Sequence, residues 1–136
     1  MKRYDQGASA VEFAIVLPVL VLLVFGITTF GIVFARTHGM EAAAREGART
    51  ASLGRTVDAT RVTDAVRSTT VPFIDVQDIN VTISPVTSDW CEDTSSMVTV
   101  TVTVDPAEYA LPIPLFRDVV TSYEASGTFR CEAPHE

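Results

Sequence analysis

Few side chains in this sequence are arranged for chemistry, and the most conspicuous is a single carboxylate. Glu12 stands five positions after Gly7 and directly before Phe13, where a long stretch without charged residues begins. The sequence contains no G-x-S-x-G, P-loop or H-E-x-x-H motif. Its two histidines, His38 and His135, form no metal-ligand set with the cysteines. The pattern therefore predicts no enzyme activity, no cofactor and no metal site.

An acidic cluster is the other candidate for chemistry. Asp89, Glu92 and Asp93 surround Trp90 and Cys91. Their spacing does not match the calcium-binding loop of an EF-hand, which places its oxygen ligands at fixed positions. We expect a solvated acidic loop here and not a cation site.

The segment that follows Glu12 predicts a membrane-spanning helix. From Phe13 to Ala35 there is no charged residue. As an α-helix, such a stretch extends roughly 33 Å, enough for the hydrocarbon core of a bilayer. It exceeds the apolar region of an ordinary signal peptide, and no clean A-x-A cleavage site follows it, so we expect it to be retained as an anchor.

The helix pattern continues beyond the apolar segment, to about Ser52. Pro18 lies inside it and predicts a local kink or a lost backbone hydrogen bond. Small side chains recur at helical spacing beyond the anchor. The stripe comprises Met40, Ala43, Ala44, Gly47, Ala48 and Ala51. Small residues allow helices to approach closely, so the stripe predicts a packing surface for another helix; a merely flexible anchor is the alternative.

The remainder of the chain predicts a small α+β domain. A short second helix is expected from Val57 to about Ser68, with Thr56 as its N-cap. Its apolar face comprises Ala59, Val62, Ala65 and Val66. Residues 79–84, 98–104 and 123–131 alternate apolar and polar side chains, which is typical of half-buried antiparallel strands. The predicted fold is a long N-terminal helix, a short helix and an antiparallel sheet of about three strands, with the sheet packed on the second helix.

The two cysteines lie after the apolar segment. Cys131 shares a strand face with Phe129, which we expect to be the core face, and Cys91 lies in the loop between the first two strands. A pair of cysteines outside a membrane suits a disulfide in an oxidising compartment, and two free buried thiols are the alternative. By the loop-closure estimate, a bond across about 40 residues stabilises the fold by roughly 4 kcal/mol.

Charge separates the distal region from several classes of partner. The whole chain has a net charge of −7, and residues 71–136 contain two arginines against eleven carboxylates, a net charge of −9. An acidic domain of this kind argues against binding of nucleic acid and against docking flat on anionic lipid. No pattern indicates a small-molecule substrate.

Glu12 has a local interpretation, because a glutamate in the first turn of a helix interacts favourably with the macrodipole. The surrounding residues suggest more. The run GASAVEFAIVLPVLVLLVFGI and the later run RTHGMEAAAREGARTAS, together spanning Gly7 to Ser52, resemble the N-terminal region of TadE-like proteins. These are minor pilins or pseudopilins of the tight-adherence (Tad/Flp) system; TadF-like relatives share much of this region.

The resemblance implies roles for four residues. A prepilin peptidase would cut between Gly7 and Ala8, and Phe13 would assist its recognition. Glu12 would be the assembly carboxylate, which pairs with the new α-amine of Ala8 on a neighbouring subunit. Residues 1–7 would be the leader, 8–52 the pilin-like transmembrane helix and 53–136 an extracytoplasmic head.

The implied function is that of a non-catalytic assembly component. Its partners would be the membrane, the major Flp pilin, TadF-like subunits, the inner-membrane assembly platform and the prepilin peptidase. It would cross the cytoplasmic membrane once, with its N-terminus in the cytoplasm. The alternative is a stand-alone, single-pass envelope protein whose outer domain binds a partner through Trp90, the acidic loop and the segment Leu111–Phe116.

Overall fold

The computed structural model describes residues 5–53, 58–69, 71, 74–86, 90–91, 95–104 and 123–132. The chain divides into two compact units, Met1–Phe34 and Ala35–Glu136. The described elements are, in order, α1 (Asp5–Ala51), α2 (Ala59–Ser68), a short 3₁₀ turn (Val76–Asp78), β1 (Ile79–Ser84), β2 (Met97–Val104) and β3 (Tyr123–Arg130). The predicted α+β class and order of elements are confirmed.

Helix α1 has 47 residues and contains Pro18. It starts three residues before the expected position and ends one residue before Ser52. From Phe13 to Phe34 it contains no charged residue, and most of its large apolar side chains are exposed. In the second unit it becomes amphipathic, with one buried stripe and several exposed charged side chains. The amphipathic part begins at Arg36, the first charged residue after the apolar run.

The small-residue stripe of α1 packs against the chain's own sheet and second helix. Met40, Ala43, Ala44 and Ala48 are at most 1% exposed. At Gly47, an added Cβ would lie 2.5 Å from Val66 of α2 and 3.0 Å from Val100 of β2. The prediction that this stripe is a helix-packing surface is confirmed at Gly47, where α2 packs, and the sheet of the same chain covers the stripe as well. Small side chains permit a close approach by any element, and here the fold of the same chain supplies it.

Helix α2 begins two residues later than predicted. Asp58 is its N-cap, and the carboxylate accepts a hydrogen bond from the Arg61 backbone N–H at 2.8 Å. The predicted cap, Thr56, lies outside the described residues. Both residue types favour N-caps, and aspartate satisfies the free N–H groups at least as well as threonine. Val62 and Val66 are completely buried, which confirms the centre of the predicted apolar face.

The three strands form one antiparallel sheet in the order β1-β2-β3. In β2, the valines at 98, 100, 102 and 104 face the core, while the alternating threonines are partly exposed. On the outer face, Thr99 and Thr128 are cross-strand partners whose hydroxyl oxygens lie 2.8 Å apart. The period-2 alternation thus predicts the face of the central strand correctly, because burial on one side decides it.

Strand β3 departs from the expected core pattern at one position. Tyr123, Ala125 and Gly127 are buried, but Phe129 is 38% exposed. Phe129 pairs with Val98 near the end of the two strands, and β3 is one of the two edge strands of the described sheet. The face that Phe129 shares with Cys131 is the core face, as predicted, but the Phe129 ring itself is only partly covered. Cys131, two residues further, is again buried.

Candidate functional site

The segment with the predicted processing site, residues 7–13, lies in the first turns of α1. Gly7, Ala8, Glu12 and Phe13 are all exposed, and the Phe13 side chain is 65% exposed. Ala8 and Glu12 are four positions apart, so they lie on the same face of the helix. The backbone nitrogen of Ala8, which cleavage after Gly7 would turn into a free amine, thus lies on the same face of the helix as the Glu12 carboxylate.

Gly7 is not required by the fold. An added Cβ at this position would meet no atom within 4 Å, whereas at Gly127 it would lie 2.5 Å from the backbone of Ala44. Gly7 also lies within a regular α-helix, where glycine is less favourable than alanine by about 1 kcal/mol. Neither packing nor backbone conformation accounts for glycine at position 7.

Glu12 does not benefit from the N-terminal end of the helix. Because α1 includes Asp5, Glu12 lies about two turns inside it, and the macrodipole acts mainly on the first turn. Among the residues that the structure describes, none forms an ion pair with Glu12. The described ion pairs of α1 lie further along: Glu41 with His38 and Arg45, both at 3.7 Å, and Glu46 with Arg49 at 3.3 Å.

The exposed apolar surface of α1 extends over the segment after Glu12. Large apolar side chains from Val11 to Phe34 are mostly more than half exposed, and the helix is long and apolar enough to cross a membrane. The Thr28 hydroxyl donates to the Val24 carbonyl at 2.9 Å, which satisfies this polar group inside the helix itself. The rings of Phe30 and Phe34 stack, with centroids 6.4 Å apart. These features are typical of a single-pass anchor.

A comparison with family models finds a similarity over most of α1. Residues 7–49 match the TadE family, described as TadE-like protein. Neither the curated proteins nor the solved structures contain a match to the chain. The TadE-like region includes the predicted processing site and Glu12, and it ends two residues before the end of α1. The resemblance seen in the sequence is thereby confirmed for α1.

Outside the TadE-like region, a disulfide joins the loop between β1 and β2 to the residue that follows β3. Cys91 and Cys131 are bonded, with their Cα atoms 5.6 Å apart. The neighbouring Trp90 is 8% exposed, and its indole N–H donates to the Ala51 carbonyl at 3.0 Å. The backbone N–H of Glu132 donates to the Ser52 carbonyl at 3.0 Å. The loop and the residues after β3 therefore satisfy carbonyl groups that the end of a helix leaves free.

This arrangement changes the reading of Trp90. The alternative binding surface included Trp90, but its ring is buried and its N–H donates a hydrogen bond to the end of α1. The remaining parts of that surface, Asp89, residues 92–93 and the segment Leu111–Phe116, lie outside the described residues, as does His135. Within the described ranges, no group of three or more histidine, cysteine or acidic side chains is placed to hold a metal ion.

One electrostatic contact was not predicted from the sequence. Arg36 and Tyr123 are both buried, and they interact across the contact of α1 with β3. Burial raises the pKa of the Tyr123 hydroxyl above 10.0, and the positive charge of Arg36 opposes part of that rise. A signal was present in the sequence, since Arg36 is the first charge after the apolar run. Its partner, more than 80 positions away, could not be read from local patterns.

Proposed function

We propose that this chain is a non-catalytic minor pilin or pseudopilin that takes part in assembling a Tad/Flp-type pilus or a related secretion machine. The observation that carries the proposal is the TadE-like match over residues 7–49, which contains Gly7, Ala8, Glu12 and Phe13 in one exposed helical segment. Prepilin peptidase would act on this segment before assembly.

Processing explains the glycine that the fold does not require. Water would add across the Gly7–Ala8 peptide bond, leaving a carboxylate on Gly7 and a positively charged amine on Ala8. A side chain at position 7 would have free space in this chain, so any demand for glycine comes from an outside molecule. A peptidase that must approach the backbone closely supplies such a demand.

The new amine gives Glu12 a partner. Insertion of a carboxylate at the centre of a bilayer costs about 2.5–3.5 kcal/mol on insertion scales. The cost is lower near the interface, where Glu12 of an unassembled subunit can lie. When subunits pack side by side, water leaves and an unpaired charge becomes more costly. Pairing with the Ala8 amine of a neighbour removes that cost only in one axial register, so it favours ordered assembly.

The proposal also assigns orientation and partners. The leader, with Lys2 and Arg3, would remain in the cytoplasm, and the acidic head with its disulfide would lie outside the cytoplasmic membrane, where disulfides form. The partners would be the major Flp pilin, TadF-like subunits, the inner-membrane platform and the peptidase.

Processing is tested by Gly7→Leu in the native host. Because a side chain at position 7 meets nothing in the fold, the variant should insert and fold normally but keep residues 1–7. The matched control is Gly26→Leu, which also has open space within the apolar segment, and which should be processed. Normal trimming of Gly7→Leu would contradict the proposal.

The assembly role of Glu12 is tested separately by Glu12→Gln, which preserves shape and removes the charge. We expect normal processing but loss of co-purification with other pilus subunits from solubilised membranes. Glu46→Gln, on the same helix but in a surface pair with Arg49, should retain co-purification. If Glu12→Gln assembles as the wild type does, the pairing mechanism is wrong even where processing is correct. A chain that is never trimmed would instead be an anchored envelope protein.

A further inference from the structure

The outer edge of β3 carries backbone groups of Glu124, Ser126 and Thr128 that no strand in the described part of the chain pairs with. The Cys131 N–H donates to the Ser96 carbonyl at 3.0 Å, and the register pairs Arg130 with Met97, so Cys131 and Ser96 form a hydrogen-bonded pair. In an antiparallel ladder such pairs alternate with non-bonded ones. Residues with odd numbers in β3 therefore direct their backbone groups to β2, and Glu124, Ser126 and Thr128 direct theirs away from it.

No described strand pairs with this side of β3, because the sheet order is β1-β2-β3. Glu124, Ser126 and Thr128 are all exposed. An open edge of this kind is a template for one more strand, and extended peptides bind many domains by adding to such an edge.

A groove lies beside the open edge and would accommodate the side chains of an added strand. It has a volume of about 380 Å³ and runs between α1 and the first half of β3. On the α1 side it is lined by Thr37, Glu41 and Arg45, which are four positions apart and form one stripe; on the β3 side it is lined by Glu124 and Ser126.

Charge indicates the chemistry of the occupant. Glu41 has Arg45 at 3.7 Å, whereas Glu124 forms no ion pair with any residue in the described part of the chain. Residues 71–136 carry a net charge of −9. A cationic side chain on the incoming strand would find a carboxylate at the edge and a favourable field around it.

We propose that the β3 edge binds, by strand addition, an extended segment of a partner protein that carries β-branched residues and a lysine or arginine next to Glu124. A second copy of β3 fits less well. Gly127 lies against the α1 backbone at Ala44. Two β3 strands paired about Gly127 would lie about 4.8 Å apart. The α1 helices of the two copies would then be closer together than the roughly 8–10 Å that helix packing needs. The β3 edge follows the processing site in the sequence, and its binding does not depend on cleavage.

Amide hydrogen exchange, followed by NMR on the full chain in detergent micelles, tests the edge. The probe is the peptide Lys-Thr-Val-Thr-Val-Thr-Lys. In the free chain, the amides of Ser126 and Thr128 should exchange rapidly while those of Ala125 and Gly127 are protected. Saturating peptide should slow exchange at Ser126 and Thr128 at least about tenfold. Protection of these two amides without peptide, by the chain itself or by a dimer, would overturn the proposal, and so would unchanged exchange with it.

Ser126→Pro removes one outward N–H and is compared with Ser126→Ala, which keeps it. Proline is tolerated at an edge where the N–H faces solvent. We expect the proline variant to bind the peptide about tenfold more weakly, since a ladder hydrogen bond is lost and its acceptor is left unpaired, and the alanine variant to bind normally.

Two further measurements keep the test decisive if Ser126→Pro does not fold. The same peptide with every valine and threonine amide methylated should not bind. Glu124→Lys should weaken binding of the lysine-ended peptide and strengthen binding of a glutamate-ended one. Equal binding of methylated and unmethylated peptides would show that no strand is added.

Discussion

Gly127 of β3 lies directly against the backbone of Ala44 in α1: a Cβ at position 127 would stand 2.5 Å from the Ala44 carbonyl oxygen. A backbone atom cannot move aside as the end of a flexible side chain can. This contact fixes the distance between the distal part of α1 and the sheet. It also explains why the stripe on α1 is built from small residues.

We expect Gly127→Ala to destabilise the second unit by about 2–3 kcal/mol, because the added methyl group overpacks a rigid contact. Thermal unfolding of the purified full chain, followed by circular dichroism, measures this change. Ser126→Ala, on the adjacent exposed position, should leave the midpoint nearly unchanged. Equal stability of Gly127→Ala and Ser126→Ala would contradict the close approach of α1 and β3.

Gly47→Ala should have a smaller effect than Gly127→Ala. The added Cβ would meet side-chain methyl groups, of Val66 at 2.5 Å and of Val100 at 3.0 Å, and not backbone, and alanine gains up to about 1 kcal/mol in helix propensity. The double variant Gly47→Ala with Val66→Ala should recover part of the loss, because space is restored at the contact. Additive losses in a double-mutant cycle would indicate that positions 47 and 66 do not touch.

Loss of the disulfide should lower stability by about 4 kcal/mol on the chain-entropy model, since the bond closes a loop across a sequence separation of 40. Cys91→Ser with Cys131→Ser tests this by chemical denaturation under oxidising conditions. Trp90→Phe in the oxidised chain should cost about 1 kcal/mol through loss of the hydrogen bond to Ala51. A double serine variant as stable as the wild type would show that the bond does not constrain the fold.

We expect ionisation of Tyr123 to lower the free energy of unfolding at alkaline pH. Burial raises its pKa in the folded state above 10.0, so the unfolded chain releases this proton first as the pH rises. The contribution is fully present below pH 10 and is lost as the pH rises through the folded pKa. Tyr123→Phe should flatten the decline in unfolding free energy above pH 10. An equally steep decline in Tyr123→Phe would assign it to other groups.

The elements of this fold were largely predictable because their signals are local. The alternation of valine with threonine predicted both the position and the inward face of β2, and the uncharged run after Glu12 predicted the long apolar helix. The second helix was found with its apolar face, although Asp58 replaced Thr56 as the cap because both residue types satisfy the same N–H groups.

The sequence could not show what the small residues of α1 pack against. Met40 and Ala44 have the same pattern whether their partner is another molecule or the chain's own sheet, and only the long-range contact with Gly127 decides it. The exposure of Phe129 and the burial of Trp90 could not be predicted from local patterns either. The edge position of β3 leaves Phe129 exposed, and a hydrogen bond to Ala51 turns Trp90 inward.

For the candidate site, the sequence supplied the residues, and the structure supplied reasons to look beyond the fold. It showed that Gly7 is not required by packing and that, in the uncut chain, Glu12 lies too far inside α1 to interact with the helix end. Neither residue has an explanation within the chain's own described contacts. The proposed enzyme that cuts before Ala8, and the proposed neighbour that brings an amine to Glu12, would explain both.

Mass spectrometry of the N-terminal peptide of the wild-type protein, isolated from its native host's membranes, tests this account most directly. The account predicts a mature chain that begins at Ala8. A protein that retains residues 1–7 in full would contradict it.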